Sequence, residues 1–217
     1  LTVIDSCGQV LRRRAARLTE ETALERADMI RRATARIDGV MRSALQLVQL
    51  EEGDMRCTFQ AVSLDRLVRE AIETAGAARP DVPIRFAPGE VAAVVRADPA
   101  LIRSALAALI ENASKYSAAG SAVDISLSEA EETCAIVIED HGIGIAPDEL
   151  PRVRERFFRG SNTTAVPGAG TGLYLADTLV AANRGSLAIQ SVLGEGTTVV
   201  MTLPRARAGE LDVPEAA

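Results

Sequence analysis

Apolar positions change their spacing along the chain, and each change marks a different kind of element. From Ile30 they fall at Ile30, Ala33, Ile37, Val40, Ala44 and Leu47, in alternating steps of three and four. That is the seam of a coiled coil. Ahead of it, Leu1, Ile4, Leu11 and Leu18 predict a shorter, looser helix, and Thr19, Glu20, Glu21 and Thr22 suit the start of the second one. Two such helices cannot bury both faces alone. The pattern therefore predicts a helical hairpin over 1–53, half of a dimeric four-helix bundle formed with a second copy. Gly53 ends the seam.

Beyond it the period alternates between helix and strand. "LDRLVREAIETAGAA" predicts a helix stopped by Gly76 and Pro80, and Val82, Ile84 and Phe86 keep the period of two of a strand. "VAAVVRA" reads as a second strand. Asp98-Pro99 then opens a helix over 99–117, as cap and first-turn residue, with the stripe Ile102, Leu106, Leu109, Ile110 and Ala113. "AVDISLS" and "CAIVIED" predict two more strands, the second apolar enough to be central. Residues 146–170 hold Pro147, Pro151 and Pro167 among Ser, Asn and Thr, and a connection this long in a compact domain is usually functional. A helix over 171–183 and strands over 187–192 and 197–203, joined by "GEG", complete a domain over 60–204, and 205–217 reads as a disordered tail. Strands and helices mixed without βαβ regularity predict an α+β fold, a sandwich with its helices on one face.

Composition narrows the function classes. The 217 residues are 47% apolar and 25% charged, with 3% aromatics and no Trp, so the core is aliphatic. A net charge of −6 argues against a general nucleic-acid or acidic-membrane surface. Cys7, Cys57 and Cys134 are widely spaced without a CxxC, which fits reduced thiols in a cytoplasmic compartment. No apolar run is long enough to span a membrane. The chain starts at Leu1 without an initiator Met, so a piece of a longer protein is expected, with any membrane attachment through missing upstream segments. Lys115 is the only lysine among 24 basic residues, which marks a place where a compact ammonium is wanted.

Four stretches carry candidate chemistry. Ala108, Asn112 and Lys115 share one face of the helix over 99–117; an amide oxygen there can ligate Mg²⁺ and an ammonium can meet a phosphate. In "EDHGIGI", a strand delivers Asp140 at its end, where a carboxylate can accept from an exocyclic amine, and Gly142 and Gly144 allow a positive φ or a close approach. "GAGTGLYLA" runs Gly168, Gly170 and Gly172 straight into a helix whose amides can cradle an anion; the spacing is neither that of a dinucleotide fingerprint nor of a P-loop. "RVRERFFRG" puts Arg152, Arg154, Arg156 and Arg159 beside Phe157 and Phe158. There the arginines could screen a triphosphate and the rings anchor a lid, unless the stretch is a plain amphipathic helix.

Taken in order, the stretches "LIENASKYS", "DHGIGI", "RERFFR" and "GAGTGLYLA" resemble the N box, first glycine box, F box and second glycine box of the sensor histidine kinase family. "RADPALIRSAL" and "GEGTTVVMTLP" fit the same family, and the hairpin resembles its dimerisation and phosphotransfer module. The resemblance implies a Bergerat-type ATP-binding domain. It implies Asn112 on Mg²⁺, Lys115 on the phosphates, Tyr116 near the nucleotide, Asp140 reading the adenine amine over Gly142 and Gly144, and Gly168, Gly170 and Gly172 at the phosphates. Ile145, Arg156, Phe157, Arg159, Thr171, Leu173 and Thr197 complete the implied nucleotide site. The implied reaction moves the γ-phosphoryl of ATP to a histidine of the hairpin, then to an aspartate of a response-regulator receiver domain, within a homodimer.

The chain departs from the family at four places. Ala108 fills the slot of a second Asn, Arg154 that of the first Phe of the F box, and Asn183 that of a His before the closing glycines. The fourth is the phosphoacceptor. "LTVID" resembles the segment just after the family's Thr-Pro step, so the acceptor His is expected upstream of Leu1, and the chain as it stands is expected to bind ATP·Mg²⁺ without labelling itself. His141, the only histidine, is then a passenger beside Asp140. Other readings are a catalytically degenerate dimeric scaffold, or a protein serine kinase or ATPase of the same superfold. Ala108 stands where such ATPases place a general-base Glu.

Overall fold

A computed structural model describes residues 57–206, except 77, 78, 80, 90–92, 164, 165 and 167, together with positions 27, 29 and 30. The chain divides into two units, Leu1–Met55 and Arg56–Ala217. Positions 27, 29 and 30 are helical; the rest of the predicted hairpin over 1–53 lies outside the described residues.

In the second unit the alternation of buried side chains builds a sheet with one face covered. Strand β1 (Gln60–Ser63) leads into helix α1 (Leu64–Gly76), followed by β2 (Ile84–Ala87), β3 (Val94–Ala97) and α2 (Pro99–Tyr116). Then come β4 (Val123–Glu129), β5 (Thr133–Asp140), α3 (Gly172–Ala182), β6 (Ser186–Val192) and β7 (Gly196–Pro204). Five strands form a mixed sheet in the order β2-β4-β5-β7-β6, with β2 and β4 parallel and the other neighbours antiparallel. Registers of Cys134 with Leu203, Ile136 with Met201 and Ile138 with Val199 put these buried side chains on one face. Helix α2 packs against that face between α1 and α3, burying Ile102, Leu106, Leu109 and Ile110. The result is a two-layer α/β sandwich with solvent on the far side of the sheet.

Sequence and structure differ at two edges. The short strand β1, absent from the sequence-based expectation, pairs antiparallel with β3 as a separate ribbon. Four residues with a single buried side chain, Ala61, carry too little period to be read. Residues 205 and 206, expected to open a disordered tail, are held in place: Arg205 bridges to Val95 and the Ala206 amide donates to the Val94 carbonyl at 2.9 Å, while the rest of the expected tail lies outside the described residues.

The helix layer is tied at its base by a polar clamp. Asp98 caps α2, its Oδ1 accepting from the amides of Ala100 (3.0 Å) and Leu101 (3.2 Å), while its Oδ2 accepts from Thr58. Asn183, fully buried at the end of α3, accepts the Asp98 amide on Oδ1 at 2.7 Å and donates Nδ2 to the Leu179 carbonyl at 2.9 Å. The departure from His at 183 is thus accommodated by an amide that uses both of its ends. Asn183→Ala orphans a buried amide and leaves a void, so unfolding should become easier by about 2–3 kcal/mol, read as a lower urea midpoint at unchanged slope. A shift under about 0.5 kcal/mol would mean that the clamp holds nothing together.

Candidate functional site: a buried carboxylate, a lone lysine and a glycine-rich helix start

Asp140 continues the inward alternation of Cys134, Ile136 and Ile138, so the strand's period carries a carboxylate to its end on the helix face. It is 8% exposed. Its Oδ1 accepts the Gly142 amide at 3.0 Å. Burial raises its pKa from 3.8 to about 6, opposed by the amides of Gly142 and Thr197 and by His141, with Glu139 adding a smaller upward push. Among the described residues, neither Lys nor Arg figures among the groups acting on it. A desolvated carboxylate without a cation is a costly feature for folding, and one suited to accept a donor from outside the chain.

The turn after Asp140 is locked from both sides. The Ile143 amide donates to the Tyr116 carbonyl, Gly142 bridges Ser117, and the Gly194 amide donates to the Ile143 carbonyl at 2.9 Å. A Cβ on Gly142 would strike the Tyr116 carbonyl, and one on Gly144, at φ +62°, would strike that of Val192. The protein's own backbone therefore requires these two glycines, whereas the sequence left a close ligand approach equally open. His141 points outward: it is exposed, with Nε2 3.6 Å from the half-exposed Asp124 carboxylate. His141→Ala should leave nucleotide affinity within about twofold of wild type; a tenfold loss would make the histidine part of the site.

The second glycine run meets the helix face that the sequence singled out. A Cβ on Gly172 would lie 2.7 Å from Asn112 Nδ2 and 3.0 Å from its Oδ1, and one on Gly168 would strike Lys115 Nζ. Asn112 and Lys115, both half-buried, thus face the start of α3. Lys115 Nζ donates to the Tyr116 hydroxyl at 3.1 Å and sits 4.6 Å from the centre of its ring. Thr171, at the N-cap of α3, makes no side-chain capping bond, and the first turn of α3 holds no acidic residue. Amides in the first turn of a helix, here those of Gly172 and Leu173, have no partner within the helix and suit an anionic acceptor.

The connection between β5 and α3 is built of turns, with 3-10 segments at Leu150–Arg152 and Ser161–Thr163 in place of an amphipathic helix. Phe157 is 61% exposed at φ 66°; its amide donates to the Gly170 carbonyl at 2.9 Å, and the Arg156 guanidinium lies 4.9 Å from its ring. Arg159, one of the arginines expected to screen a triphosphate, donates to the carbonyls of Thr163 (2.6 Å), Val166 (2.6 Å) and Gly168 (2.8 Å). A guanidinium fork satisfies three carbonyls at once, so Arg159 shapes the loop that delivers Gly168. Arg154 pairs with Asp177 of α3 at 3.6 Å.

Thr197, the second residue of β7, lies opposite Asp140, and Ile145 donates its amide to Ser191 Oγ at 2.9 Å. Sequence reasoning missed Ser191, although it continues the inward alternation of Leu187 and Ile189 as Asp140 does in β5. It also missed Asn162, whose Nδ2 donates to the Gly144 carbonyl at 2.9 Å; a lone Asn in a polar loop carries no periodic signal.

The profile of the family described as histidine kinase-, DNA gyrase B-, and HSP90-like ATPase matches residues 97–207. The sensor histidine kinase RppB of Synechocystis sp. is 33% identical over 181 residues, 81% of this chain and 39% of that protein. The sensor-like histidine kinase SenX3 of Mycobacterium tuberculosis is 33% identical over 189 residues, 85% of this chain and 46% of that protein. The chain thus spans less than half the length of these curated relatives. The solved structure of the mycobacterial sensor histidine kinase MprB superposes with a TM-score of 0.61 at 26% identity, covering 68% of this chain and 98% of that one. No helix among the described residues is long and apolar enough to cross a membrane. With a profile match over half its length and relatives of this kind, the chain belongs to the histidine kinase-, DNA gyrase B- and HSP90-like ATPases and carries the ATPase domain of a sensor histidine kinase.

Proposed function

We propose that the chain is the kinase core of a two-component sensor. In this reading it binds ATP·Mg²⁺ between Asp140 and the start of α3, and serves transfer of the γ-phosphoryl to a hairpin histidine and then to a response-regulator aspartate. The observation that carries it is the apposition of Asn112 and Lys115 to Gly172 and Gly168 at an uncapped helix start, on the same side of the sheet as the buried Asp140. The donor set fits the nucleotide. Ionised Asp140 accepts from the adenine amine, Tyr116 flanks the site, and Lys115 with the α3 amides offers positive charge to phosphate oxygens. Asn112 offers one amide oxygen to Mg²⁺, which suits an ion that takes its remaining ligands from phosphates and water. ATP supplies the transferable phosphoryl group; the chain's part is to hold and orient it and neutralise its charge.

The same reading places residues 1–53 as a hairpin that dimerises the protein and presents its surface to a receiver domain, in the cytoplasm where ATP is found. Because His141 is the chain's only histidine and is exposed beside Asp124, the 217-residue chain is not expected to phosphorylate itself. Calorimetric titration with ATP, with Mg²⁺ or with EDTA, tests the reading. One site per protomer that needs Mg²⁺ for full affinity supports the kinase core. Dimerisation without Mg²⁺-dependent ATP binding would instead make the chain a scaffold, with Ala108 and Arg154 as marks of decay.

A further inference from the structure

Three short contacts converge on one hydroxyl at the edge of the site. Ser191 Oγ lies 2.9 Å from the Ile145 amide nitrogen, 2.7 Å from the Gly196 carbonyl oxygen and 2.9 Å from Thr197 Oγ1. The proton positions are fixed by elimination. A carbonyl can only accept, so the single Ser191 proton belongs to Gly196; an amide can only donate, so Ile145 fills one acceptor position of Ser191. The contact with Thr197 then needs the Thr197 hydroxyl as donor. With its proton committed to Ser191, Thr197 has only lone pairs left to offer.

Thr197 is the ladder partner of Asp140 across β5 and β7, so the two side chains leave the sheet on the same face. Ionised Asp140 accepts only, and Thr197 with its proton turned away accepts only. This wall of the site therefore welcomes hydrogen-bond donors and repels acceptors. We propose that Ser191 is a positioning residue that fixes the polarity of the Thr197 hydroxyl, and so strengthens the choice of a 6-aminopurine over a 6-oxopurine nucleotide. The proposal rests on the nucleotide site described above and adds to it a determinant that acts on the base only through Thr197. Without Ser191, Thr197 is free to rotate and donate to an oxo group, and discrimination rests on Asp140 alone.

ATP and inosine triphosphate differ at that position, amine against oxygen, and at the neighbouring N1, bare acceptor against N–H donor, so the readout is the change in their ratio from wild type to variant. Their Mg²⁺-dependent affinities are measured by competition against a fluorescent ATP analogue, for wild type, Ser191→Ala and Ser191→Thr. One neutral hydrogen bond sets the scale, so the ATP-to-inosine-triphosphate preference should fall about three- to tenfold in Ser191→Ala and be kept in Ser191→Thr. In a Thr197→Val background the Ser191→Ala change should no longer alter the preference. Parallel loss of both affinities in Ser191→Ala would reduce Ser191 to a clip for Ile145 and overturn the proposal, as would an unchanged preference. Wild type binding neither nucleotide would overturn the ATP reading and this inference with it, whereas wild type binding ATP with an unchanged preference in the variant overturns only the latter.

Discussion

Asp140→Asn should weaken ATP binding by about ten- to a hundredfold and, in the same molecule, raise thermal stability. The two effects have one cause. In the unfolded chain the carboxyl titrates near 3.8, and in the folded chain burial lifts it to about 6. Between those values the folded state holds more protons than the unfolded one, so stability falls as pH rises through the window, and the loss is complete above about 6. At about 1.4 kcal/mol per tenfold in the protonation equilibrium, the penalty at neutral pH is on the order of 3 kcal/mol. The neutral amide removes it, for a gain of several degrees in the melting temperature of a domain this size. Binding moves the other way, because a hydrogen bond to a charged acceptor is worth about 1.5–3 kcal/mol and the amide cannot replace the charge. Wild-type affinity for ATP should also fall as pH drops through about 6, where the carboxyl gains its proton, while the variant's should stay flat. Differential scanning calorimetry and pH-dependent titration read the pair. A variant less stable than wild type with unimpaired binding would contradict both roles given to Asp140.

Gly144→Ala is the second large effect, and a control separates its two causes. At φ +62° an alanine adopts the left-handed region, for about 1–2 kcal/mol. Its Cβ would also press on the Val192 backbone, 2.7 Å from the carbonyl carbon and 2.9 Å from the Leu193 Cα, and backbone in a paired hairpin cannot rotate away. Gly120 has φ +84° with nothing within 4 Å of its added Cβ, so Gly120→Ala bears the dihedral cost alone. Urea unfolding should place Gly120→Ala about 1 kcal/mol below wild type and Gly144→Ala at least about 2 kcal/mol lower still. The damage at 144 should reach function, since the β6–β7 hairpin holds the turn that succeeds Asp140 through the bond from Gly194 to Ile143. Equal costs for the two substitutions would mean that the hairpin yields and does not brace the turn.

Residue order made legible whatever repeats. The alternation of Cys134, Ile136 and Ile138 identified β5 and pointed at Asp140, and the Ile102–Ala113 stripe placed Asn112 and Lys115 on a half-buried flank of α2. The glycines of both boxes were visible as glycines, but not what makes them necessary. The Tyr116 and Val192 backbones and the Asn112 and Lys115 side chains come close only after strands and helices far apart in sequence have packed. Arg159 shows the limit most clearly. Its position among arginines suggested a phosphate partner, and only the loop's path reveals three carbonyls within its reach. Ser191 could have been caught by extending the alternation of β6 by one step, the step that caught Asp140 in β5.

The central claim is that nucleotide binds between the end of β5 and the start of α3, and hydrogen–deuterium exchange with and without saturating ATP·Mg²⁺ tests it most directly. Nucleotide held there should slow exchange in residues 140–145 and 168–175 and at the end of α2 around Asn112–Tyr116, with the outer face of the sheet around Arg85–Ala87 unchanged. Unaltered exchange in the first three segments, or protection confined to the outer sheet face, would contradict it.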